Sequence, residues 1–204
     1  MSKFSNDLYK YGYLYPMDIL TRTINGLYYT LLLSIKRVCF NAVPEIRGRF
    51  QIINKGNINL GNAIRFYSTF SSNPIGMSKS CTIYVAPEAK LEIGNCCGFS
   101  GVSIYCTTSI IIGQNMFCGA NVNIWDTNFH PLSHLDRRNN LDHLAIRKPI
   151  TIGDDVFVGA NSIILKGVKI GDRAVVGAGS VVTKSIPADE IWAGNPAKFI
   201  KTNN

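Results

Sequence analysis

The chain has 204 residues, 46% hydrophobic and 17% charged, with 18 Gly, 8 Pro and a formal net charge of +8; this composition describes a soluble globular chain of one or two domains. Its longest apolar run, residues 27–33, holds two tyrosines and a threonine and is soon followed by Lys36 and Arg37, which excludes a spanning helix of ~20 residues, and no secretory signal is expected. Lys and Arg lie in scattered pairs, Lys36-Arg37, Arg137-Arg138 and Arg147-Lys148, so no nucleic-acid partner is expected, and the charge fits a phosphate-bearing ligand, an anionic membrane surface or a bare basic surface.

In chain order the first predicted element is a helix from Met17 to about Cys39, after Pro16, with apolar residues at intervals of three and four: Leu20, Ile24, Leu27, Leu31 and Ile35. Its expected role is to cap the open end of the repeat region C-terminal to it, with peripheral membrane contact as the other reading. In that region a six-residue beat begins at Ile46, Ile52, Ile58 and Ile64. It returns at Ile93 and Phe99, then at Ile112, Cys118 and Ile124. The step from Phe99 to Ile112 is thirteen, so one residue is inserted near residues 105–109. The beat is strongest at Ile152, Val158, Ile164, Ile170, Val176 and Val182. Beyond Pro187 it stops, and a short helical or irregular tail is expected.

A period of six fits neither an α-helix nor a strand alternating at two; it fits short strands joined by turns, with one aliphatic side chain turned inward per face. Three faces close a coil, and stacked coils satisfy one another's backbone groups. The expected fold class is therefore all-β, a parallel β-helix, whose handedness the period leaves open. Residues 1–43 form the N-terminal helical segment, 44–186 the β-helix with an inserted loop at 126–149, and 187–204 the tail. The six cysteines show no C-x-x-C spacing and read as small buried thiols in a reducing cytoplasm.

The loop breaks the rhythm and holds all three histidines, His130, His134 and His143. Three blocks, "IGNCCGFSGVSI", "IWDTNFHPL" and the run from "KPITIGDDVF" through "GAGSVVTK" to "AGNPAKFIK", resemble the hexapeptide acyltransferases. Within these they are most similar to the galactoside, maltose and xenobiotic acetyltransferase branch, especially bacterial polysaccharide O-acetyltransferases. The resemblance implies a left-handed solenoid, a homotrimer with active sites between adjacent subunits, and transfer of an acetyl group from acetyl-CoA to a hydroxyl or amine. It also implies that the loop carries the catalytic histidine, at His130.

A neutral sugar hydroxyl needs a base to lose its proton during attack on a thioester, and imidazole can return that proton to the departing thiolate. His134 and His143 read as loop or intersubunit residues. Asp126 is a candidate to orient the imidazole or bind the acceptor, or else a turn aspartate. Ser100 stands where the galactoside branch places an Asn-type oxyanion donor, and a plain turn serine is the alternative. The resemblance places coenzyme A along Ala160 and Ala178, with Phe157 as a flat wall where the branch commonly has Trp, and with Thr183, Lys184 and Lys198 near its phosphates. These six also suit ordinary corner, packing and surface roles.

The expected activity is O-acetylation of a sugar or glycan intermediate in the cytoplasm, at the inner face of the membrane if the helix docks there. Amino sugars and xenobiotics are alternative acceptors. A metalloenzyme of the γ-carbonic anhydrase type would need histidines converging from different coils, and no metal is expected. A silent scaffold would need no histidine loop.

Overall fold

The computed structural model describes residues 19–203, with side chains from residue 23 onward; Pro16 and Met17, where the first helix is expected to begin, lie outside them. Helix α1 (Ile19–Ile35) is followed by β1 (Val38–Phe40), β2 (Glu45–Arg47) and β3 (Phe50–Asn54), which make the first coil. The second coil is β4 (Asn57–Leu60), β5 (Arg65–Tyr67) and β6 (Cys81–Val85); the third is β7 (Lys90–Ile93), β8 (Gly98–Ser100) and β9 (Ser103–Cys106). The fourth is β10 (Ser109–Ile112), β11 (Phe117–Ala120) and β12 (Asn123–Trp125), and helix α2 (His134–Arg138) follows in the inserted loop. Two short coils close the stack: β13 (Ile150–Ile152), β14 (Phe157–Val158) and β15 (Ile163–Leu165), then β16 (Lys169–Ile170), β17 (Val175–Val176) and β18 (Val181–Val182).

Every third strand pairs in parallel with the next, giving three sheets, here A (β1-β4-β7-β10-β13-β16), B (β2-β5-β8-β11-β14-β17) and C (β3-β6-β9-β12-β15-β18). The register superposes like on like. In sheet C, Ile52, Ile83, Ile104, Ile124, Ile164 and Val182 are successive partners, and all are buried. That column is the core, and the hexapeptide beat is its trace along the chain.

Ile64 is buried but keeps the beat in a different place. The inward residue of β5 is Phe66, partner of Ile46 and Phe99, and Ile64 lies at the corner from A to B, its carbonyl accepting from Glu45 N at 2.8 Å. The insertion expected near 105–109 lies at the corner from C to A, where Thr107 and Thr108 separate β9 from β10. Four cysteines, 81, 97, 106 and 118, are buried and free, while Cys39 and Cys96 are exposed and free. Burial raises the Cys97 thiol to about 11 and that of Cys106 to about 12, so both stay protonated as packing atoms.

Three expectations are corrected. Val38–Phe40, assigned to the helical segment, is already β1. The tail is neither helical nor irregular: β19 (Glu190–Ala193) adds in parallel to β17, and β20 (Lys198–Thr202) returns antiparallel to β19. Trp192 supplies the packing, half-buried on the core with its indole N–H donating to Glu190 Oε2 at 2.6 Å.

The third correction concerns α1. Its stripe at Ile24, Leu27, Leu31 and Ile35 is exposed, and the helix rests on the first coil by Tyr29 and Leu33, both buried, with Leu32 half-buried beside them. The segment is apolar on more than one side, so periodicity alone does not choose the inner face. Two polar anchors choose it: Tyr29 OH donates to Gly48 O at 2.8 Å, and Asn54 Nδ2 donates to the helix-terminal carbonyls of Lys36 and Arg37 at 2.9 and 3.2 Å.

Candidate active site

The loop 126–149 leaves the solenoid at the corner from C to A, and a polar lock holds its neck. Asp126 is fully buried. Its Oδ1 accepts from Thr107 N and Thr107 Oγ1, both at 2.7 Å, and its Oδ2 from Thr108 N at 2.6 Å, Thr108 Oγ1 at 2.8 Å and Ser109 N at 3.1 Å. Five donors on one carboxylate satisfy the loose corner of the coil below. Asp126 therefore cannot be the acceptor-binding or imidazole-orienting residue of the sequence reading; both its oxygens are spent on structure. A bridge between Thr127 and Arg147, with Lys148 N donating to Asp126 O at 2.9 Å, closes the neck.

Phe129 then nails the loop to the wall. Its ring meets Trp125 and Tyr105 edge to face, with centroids 5.4 and 4.8 Å apart, and its backbone sits at φ +64°, a left-handed value that a bulky residue adopts only when its surroundings hold it there. His130 follows directly, so the imidazole is mounted on a fixed peptide. Its Nδ1 lies 2.8 Å from Asp142 Oδ1, and both side chains are exposed. An ionised carboxylate only accepts, so in a neutral imidazole this contact puts the proton on Nδ1 and the lone pair on Nε2. Asp142 is the partner of His130 that sequence reasoning missed; it lies twelve positions on, beyond α2, and only the folded loop brings it back. The loop's path between them is held by Ser133, whose Oγ accepts from Asp136 N, and by Arg137, whose Nη1 donates to the carbonyls of Pro131 and Leu132 at 2.8 and 2.6 Å.

Ser100 ends β8 on sheet B, at the corner from B to C. It is buried, and its Oγ accepts from Asn73 Nδ2 at 2.9 Å, which leaves the hydroxyl proton free to donate elsewhere. Asn73 belongs to a second excursion, 68–80, leaving at that corner. Asn121 ties the excursion down: its Oδ1 accepts from Ser78 N at 2.9 Å and its Nδ2 donates to Gly76 O at 3.1 Å. Lys79 Nζ donates to Asn123 Oδ1 alongside. The gap in the beat between Ile64 and Ile93, filled with Ser, Asn, Pro and Gly, was the available signal for this excursion.

The remaining candidates fall into two groups. Phe157, exposed on β14, Ala160 in the turn two residues past that strand and Ala178 one coil above belong to sheet B and its corner toward C. Lys198, on β20, extends the same sheet, paired with Ala193 of β19. Close stacking makes this corner smooth: a Cβ on Gly119 would lie 2.5 Å from Ala160 N, and one on Gly177 would lie 2.8 Å from Ala193 Cβ. Thr183 and Lys184 are exposed at the other corner, from C to A, where the histidine loop emerges. Lys184 stands there in a column: Lys148, Lys166 and Lys184 recur one coil apart in the register of β13–β16 and β15–β18.

Within one chain, then, His130, Asp142, Thr183 and Lys184 lie along one edge of sheet C, and Ser100, Ala160 and Ala178 along the other. The width of the sheet separates them. The loop also carries apolar residues it does not bury, with Leu132, Leu135, Leu144 and Ile146 all exposed. Among the described residues no three His, Cys, Asp or Glu side chains come together as metal ligands.

Residues 149–184 match the family model for the hexapeptide repeat of succinyl-transferase. A provisionally named acetyltransferase of Dictyostelium discoideum is 40% identical over 126 residues, which are 58% of this chain and 64% of that protein. The chain thus spans less than two thirds of that curated relative. A hexapeptide-repeat acetyltransferase of Vibrio cholerae, solved in complex with acetyl-CoA, is 32% identical with a TM-score of 0.52 over 56% of this chain and 61% of its own. A maltose O-acetyltransferase from Clostridium difficile is 25% identical with a TM-score of 0.52, over 99% of this chain and 86% of its own. The stacked parallel coils are those of a left-handed β-helix, and over that solenoid the chain is similar to hexapeptide-repeat acetyltransferases.

Proposed function

We propose that the protein transfers an acetyl group from acetyl-CoA to a hydroxyl of a sugar or glycan intermediate, with His130 as general base. The observation that carries this reading is the His130–Asp142 pair, 2.8 Å apart and exposed on a loop with a rigid neck. Nε2 takes the acceptor proton as the oxygen attacks the thioester carbon, while Asp142 stabilises the imidazolium so formed. Breakdown releases the thiolate, to which Nε2 returns the proton. The products are an O-acetyl ester and free coenzyme A. The Ser100 hydroxyl, oriented by Asn73, donates to the oxygen on which negative charge develops.

The donor suits the residues present. The smooth corner at Ala160 and Ala178, walled by Phe157, admits a pantetheine arm close to the backbone. The lysine column ending at Lys184, with Thr183 and with Lys198 on β20, offers donors for its phosphates. Because these surfaces lie on opposite edges of sheet C, the working unit is a homotrimer in which the loop of one subunit faces the groove of the next. The exposed leucines of the loop supply the apolar contact that such docking buries. The free thiols suit a reducing cytoplasm.

The test is thioester release across a panel of sugars, nucleotide sugars, amino sugars and xenobiotics. A hydroxyl-bearing sugar is expected to give turnover, and His130→Ala to lower it about 100-fold or more with the fold unchanged. A mutant as active as the parent would overturn the assignment of the base; turnover confined to amines would replace O- by N-acetylation.

A further inference from the structure

The apolar stripe of α1 has no counterpart in the acetyl-transfer site. Ile24, Leu27, Tyr28, Leu31 and Ile35 are 56%, 68%, 57%, 62% and 66% exposed. At 100° per residue they fall within one arc of about 100°, and the arc lies opposite Leu33 and Tyr29, which are 0% and 9% exposed against the first coil. The helix is thus pinned to the body by one side and shows an unbroken hydrophobic strip on the other. Five large side chains in a row are more than the scatter of single apolar residues a protein surface ordinarily carries.

Charge selects the occupant. From residue 19 to residue 44 the sequence contains no Asp or Glu, whereas Arg22, Lys36 and Arg37 lie in or just after the helix. Lys36 and Arg37 form no ion pair among the described residues. An amphipathic helix with no acid of its own and with Lys36 and Arg37 just past its C-terminal end matches the boundary between anionic headgroups and acyl chains. A second copy of the same stripe would bring like charges together. It would also offer roughly 500 Å² per partner, below the ~800 Å² of a standard interface. Among the described residues no helix is long and apolar enough to cross a membrane, so the strip lies in the surface, along the helix's ~25 Å length.

We propose that α1 docks the protein on an anionic phospholipid bilayer through Ile24, Leu27, Tyr28, Leu31 and Ile35, with Lys36 and Arg37 in the headgroup layer. The proposal is independent of the acetyl-transfer reading. It is tested on the full chain by co-sedimentation with vesicles of 70% phosphatidylcholine and 30% phosphatidylglycerol, against vesicles of phosphatidylcholine alone, with the oligomeric mass measured in parallel. Partition onto the anionic vesicles is expected to exceed that onto neutral ones at least tenfold and to weaken in high salt. Leu27→Glu/Leu31→Glu is expected to lose at least tenfold of that binding while keeping the parent's melting curve and mass. Lys36→Glu/Arg37→Glu is expected to lose the preference for anionic vesicles. Should the first variant not fold, Leu27→Gln/Leu31→Gln replaces it. Equal partition onto both vesicles, unchanged binding by the folded stripe variants, or a lowered oligomeric mass in them without vesicle binding by the parent would each overturn the proposal.

Discussion

Asp142 and His130 meet at 2.8 Å in full view of solvent, which sets the size of the effect expected from either partner. A buried aspartate behind a catalytic histidine is worth ~10⁴ in turnover, but water competes for an exposed pair and shares its work. Asp142→Asn is therefore expected to lower kcat by about 10- to 100-fold with KM for acetyl-CoA unchanged, and Asp142→Glu to recover part of the loss. Steady-state kinetics of the three proteins checks this. An Asn variant whose KM rises while kcat holds would make Asp142 a substrate contact instead of the residue that positions the base.

At the scale of the element, the loop works because its neck is stiffer than its tip. Asp126 gives both oxygens to residues 107–109, so a lost carboxylate frees the neck and orphans the donors of a buried corner together. Asp126→Ala is expected to cost about 3 kcal/mol in chemical denaturation, and to lower turnover even in the fraction that remains folded. Elements also show what the sequence could and could not tell. The hexapeptide beat made the coils legible because each aliphatic residue meets its own kind one coil away, and the motif around His130 made the loop legible because its break in rhythm is abrupt. Asp126 stayed between a site role and a turn role because a carboxylate in a turn looks alike whether it faces water or five protein donors. Asp142 and Asn73 were missed because their partners are brought together by excursions that carry no period. The inner face of α1 was not legible for a related reason: Tyr29 is chosen by a distant carbonyl, Gly48 O, rather than by any pattern within the helix.

For the whole molecule, the separation of the two half-sites by sheet C makes the proposed trimer a requirement for activity. Two inactive variants then become informative together. His130→Ala lacks the base but keeps its groove, and Ala178→Trp keeps the base but fills the groove. Unfolded, mixed in equal amounts and refolded, they are expected to recover roughly a quarter of the parent's activity, since a random trimer pairs an intact loop with an intact groove at about one site in four. Recovery at the level of either variant alone would place both halves in a single chain.

The final strand carries a consequence of another kind. A stack of parallel coils has no natural length: each added turn offers the next the same open backbone, and a chain end left bare would template fibres of its own kind. β20 reverses direction against β19, so sheet B, one of the three faces, ends in a strand of the wrong polarity for further parallel growth, with Lys198 and Lys201 on it adding charge. α1, laid on the first coil, covers the opposite rim. Both devices work against end-to-end pairing of one solenoid with another.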